Sequence, residues 1–201
     1  MYFWLDFIVR GNRVETLEAI FRRRSIRDFK SEPLKNEEIE ILLKAAFSAP
    51  TAVNTQPWEF IVITENEILN KLRSKLIFAN YNAPTAIVVC GNMKLALKSQ
   101  DKDLWIEDCS AAIENILLAA TDRGIASLWI GIFPIDSRMN SVRKILDIPD
   151  YVVPLAMVYL GYPNQESEGR CRYNEKRIYW QKYDPDRKHK TKDKPVIGHY
   201  A

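Results

Sequence analysis

Histidine is nearly missing from this chain of 201 residues: there are two, His189 and His199, both within the last thirteen positions. The body of the fold therefore has no HExxH zinc motif and no histidine for a Ser-His-Asp triad. Glycine is scarce too, at seven. None of the seven forms GxGxxG or GxxxxGK[ST], so two common phosphate-cradling loops are excluded. The three cysteines, Cys90, Cys109 and Cys171, are far apart and make no CxxC. A sparse, odd count suits a reducing cytoplasm better than a disulfide scaffold. No apolar run reaches the roughly 18 residues of a membrane span. The opening MYFWLDFIV contains Asp6 and has no basic stretch before it, so it makes a poor signal peptide. These features together predict a cytoplasmic protein with no membrane partner.

What is present is ordinary in amount and uneven in place. At 47% apolar, 27% charged and 11% aromatic, the chain has the makings of one globular domain. Its net charge of +3 hides two basic islands. Residues 22–30, RRRSIRDFK, set five cations against Asp28, and residues 170–194 set ten against four acids. The rest of the chain is therefore acidic. Clustered arginine attracts phosphate, whereas the plainer reading is a solvated helix end and a solvated tail. The tail has few aromatics at a stacking pitch and no nucleic-acid motif, so no nucleic-acid partner is expected.

The periodicity predicts helices over 15–24, from Asn36 until Pro50 ends it, over 66–78, 103–123 and 136–146, and strands over 58–64, 85–91, 126–133 and 153–162. Asn36 is the expected N-cap of the second helix. TAIVVCG, apolar without a break, suggests a strand buried on both faces. The helix at 103–123 is apolar around much of its circumference and should be central. TAVNTQP, between Pro50 and Trp58, reads as a polar loop. Helices and strands intermix without strict alternation, which predicts an α+β fold with a mixed β-sheet flanked by helices.

Four segments together resemble FMN-dependent nitroreductases: ETLEAIFRRRSIRDF, SAPTAVNTQPWEF, ASLWIGIF, and VVPLAMVYLGYP followed by Arg170-x-Arg172. The match runs in order from about Val14 to about Tyr183. It implies a nitroreductase-like fold, an intertwined homodimer with FMN sites at the subunit interface, and NADH or NADPH as electron donor. FMN brings a phosphate, a polar chain and a flat ring. Holding that phosphate without a glycine loop takes arginine forks. By resemblance, Arg23 and Ser25 hold it with Arg170 and Arg172, and Arg24 lines the cofactor. Arg27 matches the position that reaches the ring near N1; its alternative is a surface bridge with Asp28. Asn54 and Gln56 match the flavin-binding loop, with Pro50, Thr51 and Ala52 contributed by the partner subunit; the alternative is an ordinary turn. Ile130, Gly131 and Ile132 match the strand end whose backbone N–H faces N5. Trp129 reads as core, and Asn80 and Asn82 align loosely with the ring edge.

The resemblance implies an FMN-dependent NAD(P)H oxidoreductase that reduces nitroaromatics, quinones or similar flat acceptors by ping-pong hydride transfer through N5. It implies no catalytic side chain and no metal. The alternatives are oxidative or flavin-consuming chemistry on the same fold, or a flavin-binding or redox-sensing protein that is not an enzyme. Residues 1–13 precede the usual family start and read as an arm or an upstream-start artefact. Residues 14–183 form the expected FMN-binding domain, and 184–201 a basic, flexible tail. Only nine residues, 92–100, stand where many relatives insert covering helices, so the flavin face is expected to be open.

Overall fold

The computed structural model describes residues 16–165, 168–169 and 171–187. The N-terminal arm, Arg170 and the tail beyond Arg187 lie outside the described residues. Up to Gly169 the chain forms one compact unit, and residues 170–201 form a second.

In chain order the first unit contains α1 (Thr16–Arg22), α2 (Asn36–Phe47), β1 (Trp58–Ile63), α3 (Asn66–Lys75), β2 (Thr85–Asn92), α4 (Trp105–Asp122), β3 (Ala126–Gly131), α5 (Asp136–Leu146) and β4 (Val152–Gly161). The sheet order is β1-β2-β4-β3. The α+β class expected from the sequence is what the chain adopts. The mixed sheet is corrected: all three strand pairings are antiparallel. A parallel contact survives only in an isolated bridge between Ser25 and Ser127. The physical reason is connectivity. Helices α3 and α5 each return the chain in the opposite sense, whereas α4 carries it from β2 to β3 in the same sense; β4 lies between those two strands, so no two strands running the same way are neighbours.

Strand β2 is buried at every position, as its unbroken apolar run predicts. Alternation then divides it. Ile87 and Val89 face a core with Leu42 of α2 and Ile113 and Ile116 of α4. Val88 and Cys90 face a second core with Leu72 of α3 and Val142 of α5. Two helical layers thus cover the two faces of one sheet. Cys90 and Cys109 belong to opposite cores. Burial pushes both thiols up to about 12, which leaves them protonated packing groups.

Several ends differ from the sequence expectation. Helix α1 stops at Arg22, so Arg23 and Arg24 lie in extended chain beyond it. Lys35, not Asn36, caps α2. The Lys35 N–H donates to Glu38 Oε2 at 2.9 Å and the Glu38 N–H to the Lys35 carbonyl at 3.0 Å. That reciprocal pair closes the helix start without a short polar cap side chain. Helix α3 ends at Lys75, and a 3-10 turn follows at Ile77–Ala79. Between β2 and α4 there is only a 3-10 turn at Ser99–Asp101, with no covering helix.

Gly91 is required where it stands. A Cβ there would run into the Trp105 indole, because the first turn of α4 lies directly on β2. The second unit contains a short 3-10 turn, Glu175–Arg177, and a tilted Tyr179–Tyr183 ring pair at 4.4 Å.

Candidate functional site

Strand β3 is an edge strand, and its free edge is the centre of the site. The Ile26 N–H donates to the Ser127 carbonyl at 3.1 Å from outside the sheet. In an antiparallel ladder a residue's N–H and C=O point the same way, and the direction alternates along the strand. Trp129 and Gly131 therefore turn their backbone groups to the edge that Ser127 shows. Ile130 and Ile132 turn inward; both are buried, and the Ile132 N–H donates to the Leu155 carbonyl at 3.1 Å. At Gly131 an added Cβ would meet no atom within 4 Å. The strand thus ends in a bare backbone donor beside open space, a place a flat ring can approach closely.

Residues 23–30 are pinned at two points, one on this edge and one beyond the end of β4. Ser25 bridges Ser127, and Phe29, almost fully buried, bridges Pro163. Asn82 clamps the second point, accepting from the Phe29 N–H at 3.0 Å and donating to the Phe29 carbonyl at 2.8 Å. Asn82 is therefore engaged in structure rather than free at a ring edge. It also donates to Asp28 Oδ1, as does Asn164. The Arg27–Asp28 bridge, the alternative to a flavin role for Arg27, is not formed. Arg27 is exposed, and its Nη1 donates only weakly to the Ser25 carbonyl at 3.3 Å.

The other cations of this segment differ in what they have left to give. Arg23 lies 3.9 Å from Glu114, both partly exposed, a pair worth about 0–1 kcal/mol. It can change partner at little cost. Arg24 is committed: Nε donates to the Glu168 carbonyl at 2.9 Å and Nη1 to the Arg23 carbonyl at 2.7 Å. Its Nη2 is buried with no partner among the described residues. Arg22 and Arg24 also border an open groove of about 310 Å³ with Ser127, Pro163 and Gln165. Cations with spare donors beside the start of β3, and a bare backbone donor at its far end, suit an anion joined to a flat ring. That is the chemistry of FMN, and the residues present fit it.

The second predicted element is the loop after α2. Thr51 and Ala52 are half-buried, and Pro50, Asn54 and Gln56 are exposed. Val53, Asn54 and Gln56 all have positive φ, at 52°, 58° and 48°. For a β-branched valine this is an outlier that needs external support. Three bonds supply it. The Gln56 N–H donates to Thr51 Oγ1 at 3.2 Å, Gln56 Nε2 donates to Asn54 Oδ1 at 2.9 Å, and the Ala52 N–H donates to Asp108 Oδ1 at 2.8 Å. No contact described within the chain joins this loop to residues 23–27. Arg172 is exposed in the second unit.

Sequence reasoning missed Asp108. It is buried in the first turn of α4, and burial raises its carboxyl while the Ala52 N–H pulls it back. The signal was there: residue 108 falls in the buried stripe of Trp105, Cys109 and Ala112. A carboxylate in such a stripe has to hold something.

A model of the nitroreductase family matches residues 20–78 and 77–162. A relative from Archaeoglobus fulgidus, assigned the name NADH dehydrogenase/NAD(P)H nitroreductase, is 44% identical over 174 residues, 84% of this chain and 99% of its own. A crystal structure from Parabacteroides distasonis, of a protein assigned the same name, superposes with a TM-score of 0.78 at 36% identity, covering 84% of this chain and 98% of that one. An FMN-dependent nitroreductase from Clostridium difficile R20291 has a TM-score of 0.74 at 27% identity, with coverages of 83% and 99%.

Proposed function

The chain belongs to the nitroreductase family, and from that membership we propose that it is an FMN-dependent NAD(P)H oxidoreductase working on nitroaromatic, quinone or similar flat acceptors. The observation that carries this reading is the bridge of Ser25 to Ser127, which sets the arginine-rich segment against the free edge of the strand that ends at Gly131. When bound there, FMN supplies a two-electron carrier that takes hydride from reduced nicotinamide and passes it, with a proton from water, to the acceptor.

The chain's residues bind and tune. Arg23, Ser25 and the free Nη2 of Arg24 hold the phosphate. Arg27 lies toward the ring and favours the charge that reduction places on it. The Gly131 N–H is a fixed backbone donor at the reacting edge. Asn54 and Gln56 offer amides to the ring's polar rim, and Pro50, Thr51 and Ala52 come from the partner subunit of a homodimer. Support for a partner is the apolar surface on α1 and the loop: Leu17 is 64% exposed and Val53 84%. Without covering helices over 92–100, donor and acceptor use one open face in turn, the condition for ping-pong kinetics. Among the described residues no helix is long and apolar enough to cross a membrane. The free cysteines accord with a cytoplasmic setting.

The test is direct. Purified protein is expected to show flavin absorption bands at one FMN per chain, and to oxidise NADH or NADPH with a quinone as acceptor. Protein without flavin that also fails to take up added FMN overturns the reading.

A further inference from the structure

Beside the strand end stands an arginine that this reading leaves without a task. Arg138 lies in the early part of α5, just after the chain has left β3. Its guanidinium is 3.9 Å from the centroid of the Phe78 ring, and its Nη1 donates to the Gly131 carbonyl at 3.1 Å. A ring face and a carbonyl fix the direction of the fork, and neither neutralises its charge. No carboxylate pairs with it among the described residues.

The neighbouring arginines of this layer are occupied differently. Arg143 spends Nε and Nη2 on the carbonyls of Val152 and Asp150, and Arg73 spends both terminal nitrogens on Asn70 and Ala83. Arg138 gives one donor to the protein out of the five a guanidinium carries. Around it the surface is apolar and accessible: Phe78 is 38% exposed and Ile135 41%. Phe78 is held from behind, because the next residue, Ala79, is fully buried and its carbonyl accepts from the Tyr159 hydroxyl at 3.0 Å. A held cation over a small apolar floor, bonded to the residue at the reacting edge, matches a planar reactant that carries a carboxylate or phosphate.

We propose that Arg138 is a specificity-determining residue that selects anionic reactants at the flavin face, binding the carboxylate or phosphate of the molecule stacked beside Gly131. This rests on the oxidoreductase reading above. The anion belongs to one of two sources, the phosphates of the dinucleotide donor or an acidic group on the acceptor.

The experiment compares the flavin-loaded wild type with Arg138→Met and Arg138→Lys in matched reactant pairs. For donors the pair is NADH and N-methyl-dihydronicotinamide, which lacks phosphate. For acceptors it is 4-nitrobenzoate and nitrobenzene. The readout is the ratio of kcat/KM, anionic over neutral, in each pair. Arg138→Met is expected to lower at least one ratio by about 10- to 100-fold, the loss of one charge-assisted contact. Arg138→Lys is expected to fall between, since it keeps charge and loses the planar fork. A drop in the donor pair assigns the anion to the dinucleotide, and a drop in the acceptor pair assigns it to the acceptor. A second measurement needs no turnover: 4-hydroxybenzoate titrated into the oxidised protein and followed by the visible flavin spectrum should bind about 10-fold or more weakly to Arg138→Met. Ratios and binding unchanged in Arg138→Met overturn this inference alone. So does an equal fall in both members of each pair, which a merely structural role would give. A wild type that takes up no FMN overturns the functional reading and this one together.

Discussion

The two elements assigned to the flavin are built on opposite plans. The end of β3 is regular strand whose inward residues are bonded to β4 and whose outward residue, Gly131, has open space where a side chain would stand. The loop Thr51–Gln56 is irregular, with three non-glycine residues in the left-handed region and one buried carboxylate reaching in from another element. The strand is fixed by its ladder and needs no special residue to hold its shape. The loop keeps its shape through bonds among its own residues and the one that Asp108 accepts from Ala52. A site can therefore take precision from a sheet at no local cost, or take reach from a loop and supply the support elsewhere.

The sharpest way to break this comparison is at Gly131. Valine suits a strand, and its side chain would enter space that the chain leaves empty. Gly131→Val should leave the melting temperature within about 2 °C, since surface substitutions cost within ~0.5 kcal/mol. Flavin-dependent turnover should fall roughly 100-fold, because a displacement near 1 Å in a reacting pair costs that much. Thermal unfolding and steady-state kinetics on the same sample check both halves. A large loss of stability would mean that the strand end is not the self-supporting wall described above.

Arg27 probes the segment between its two pins. Its one bond inside the chain is weak, so Arg27→Ala should cost the fold little. If Arg27 serves the ring, FMN affinity should fall by about one to two decades, from a charge-assisted contact worth ~1.5–3 kcal/mol. The flavin's reduction potential should fall as well. Fluorescence titration and a spectroscopic redox titration measure these. Unchanged values would return Arg27 to the solvated surface.

The loop is expected to respond in the other way, through its support. Asp108→Ala removes the acceptor for the Ala52 N–H and leaves the left-handed residues held by Thr51 and the two amides. Amide exchange at Ala52 should quicken about 10-fold or more, the equivalent of roughly 1.4 kcal/mol. FMN affinity should drop by a similar factor if the loop presents its amides to a partner subunit. Unchanged exchange would show that the loop stands without its clamp.

The same contrast explains what could be read from the sequence. The strands and long helices were legible because burial on one or both faces imposes period 2 or 3.6, and β2 and α5 match the expected spans within a residue. The all-antiparallel pairing was not legible, because periodicity carries no information on strand direction. The arginine motif marked residues 22–27 as the expected anion-binding segment. It did not show that Arg24 is mostly committed to backbone carbonyls, or that Asp28 faces Asn82 and Asn164 rather than Arg27. Apart from the adjacent Arg23 carbonyl, those partners lie more than fifty residues away in sequence. The loop's left-handed residues were invisible for a further reason. Val53 has no propensity for that conformation, and among the bonds around it is one from the Ala52 N–H to Asp108 on another element.

The smallest expected effect is also the most specific, because it isolates the charge on Asp108 from its role as an acceptor. Asparagine keeps an oxygen for the Ala52 N–H and carries no charge at any pH. In the folded protein, burial raises the Asp108 carboxyl above its ordinary range, and this outweighs the Ala52 bond that lowers it. The folded state therefore binds a proton more readily than the unfolded chain, whose aspartate titrates near ~3.9. The stabilising contribution of the neutral group is complete below that value and is lost as pH rises through the raised folded value. Above that window the wild type carries a buried charge that Asp108→Asn avoids. The stability difference between the two should thus shift in favour of the asparagine variant as pH rises from about 3 to 7, and be flat beyond it. Denaturant unfolding of both proteins across that range measures the shift. A difference that moves the opposite way would mean that hydrogen bonds to the carboxylate, rather than burial, govern Asp108.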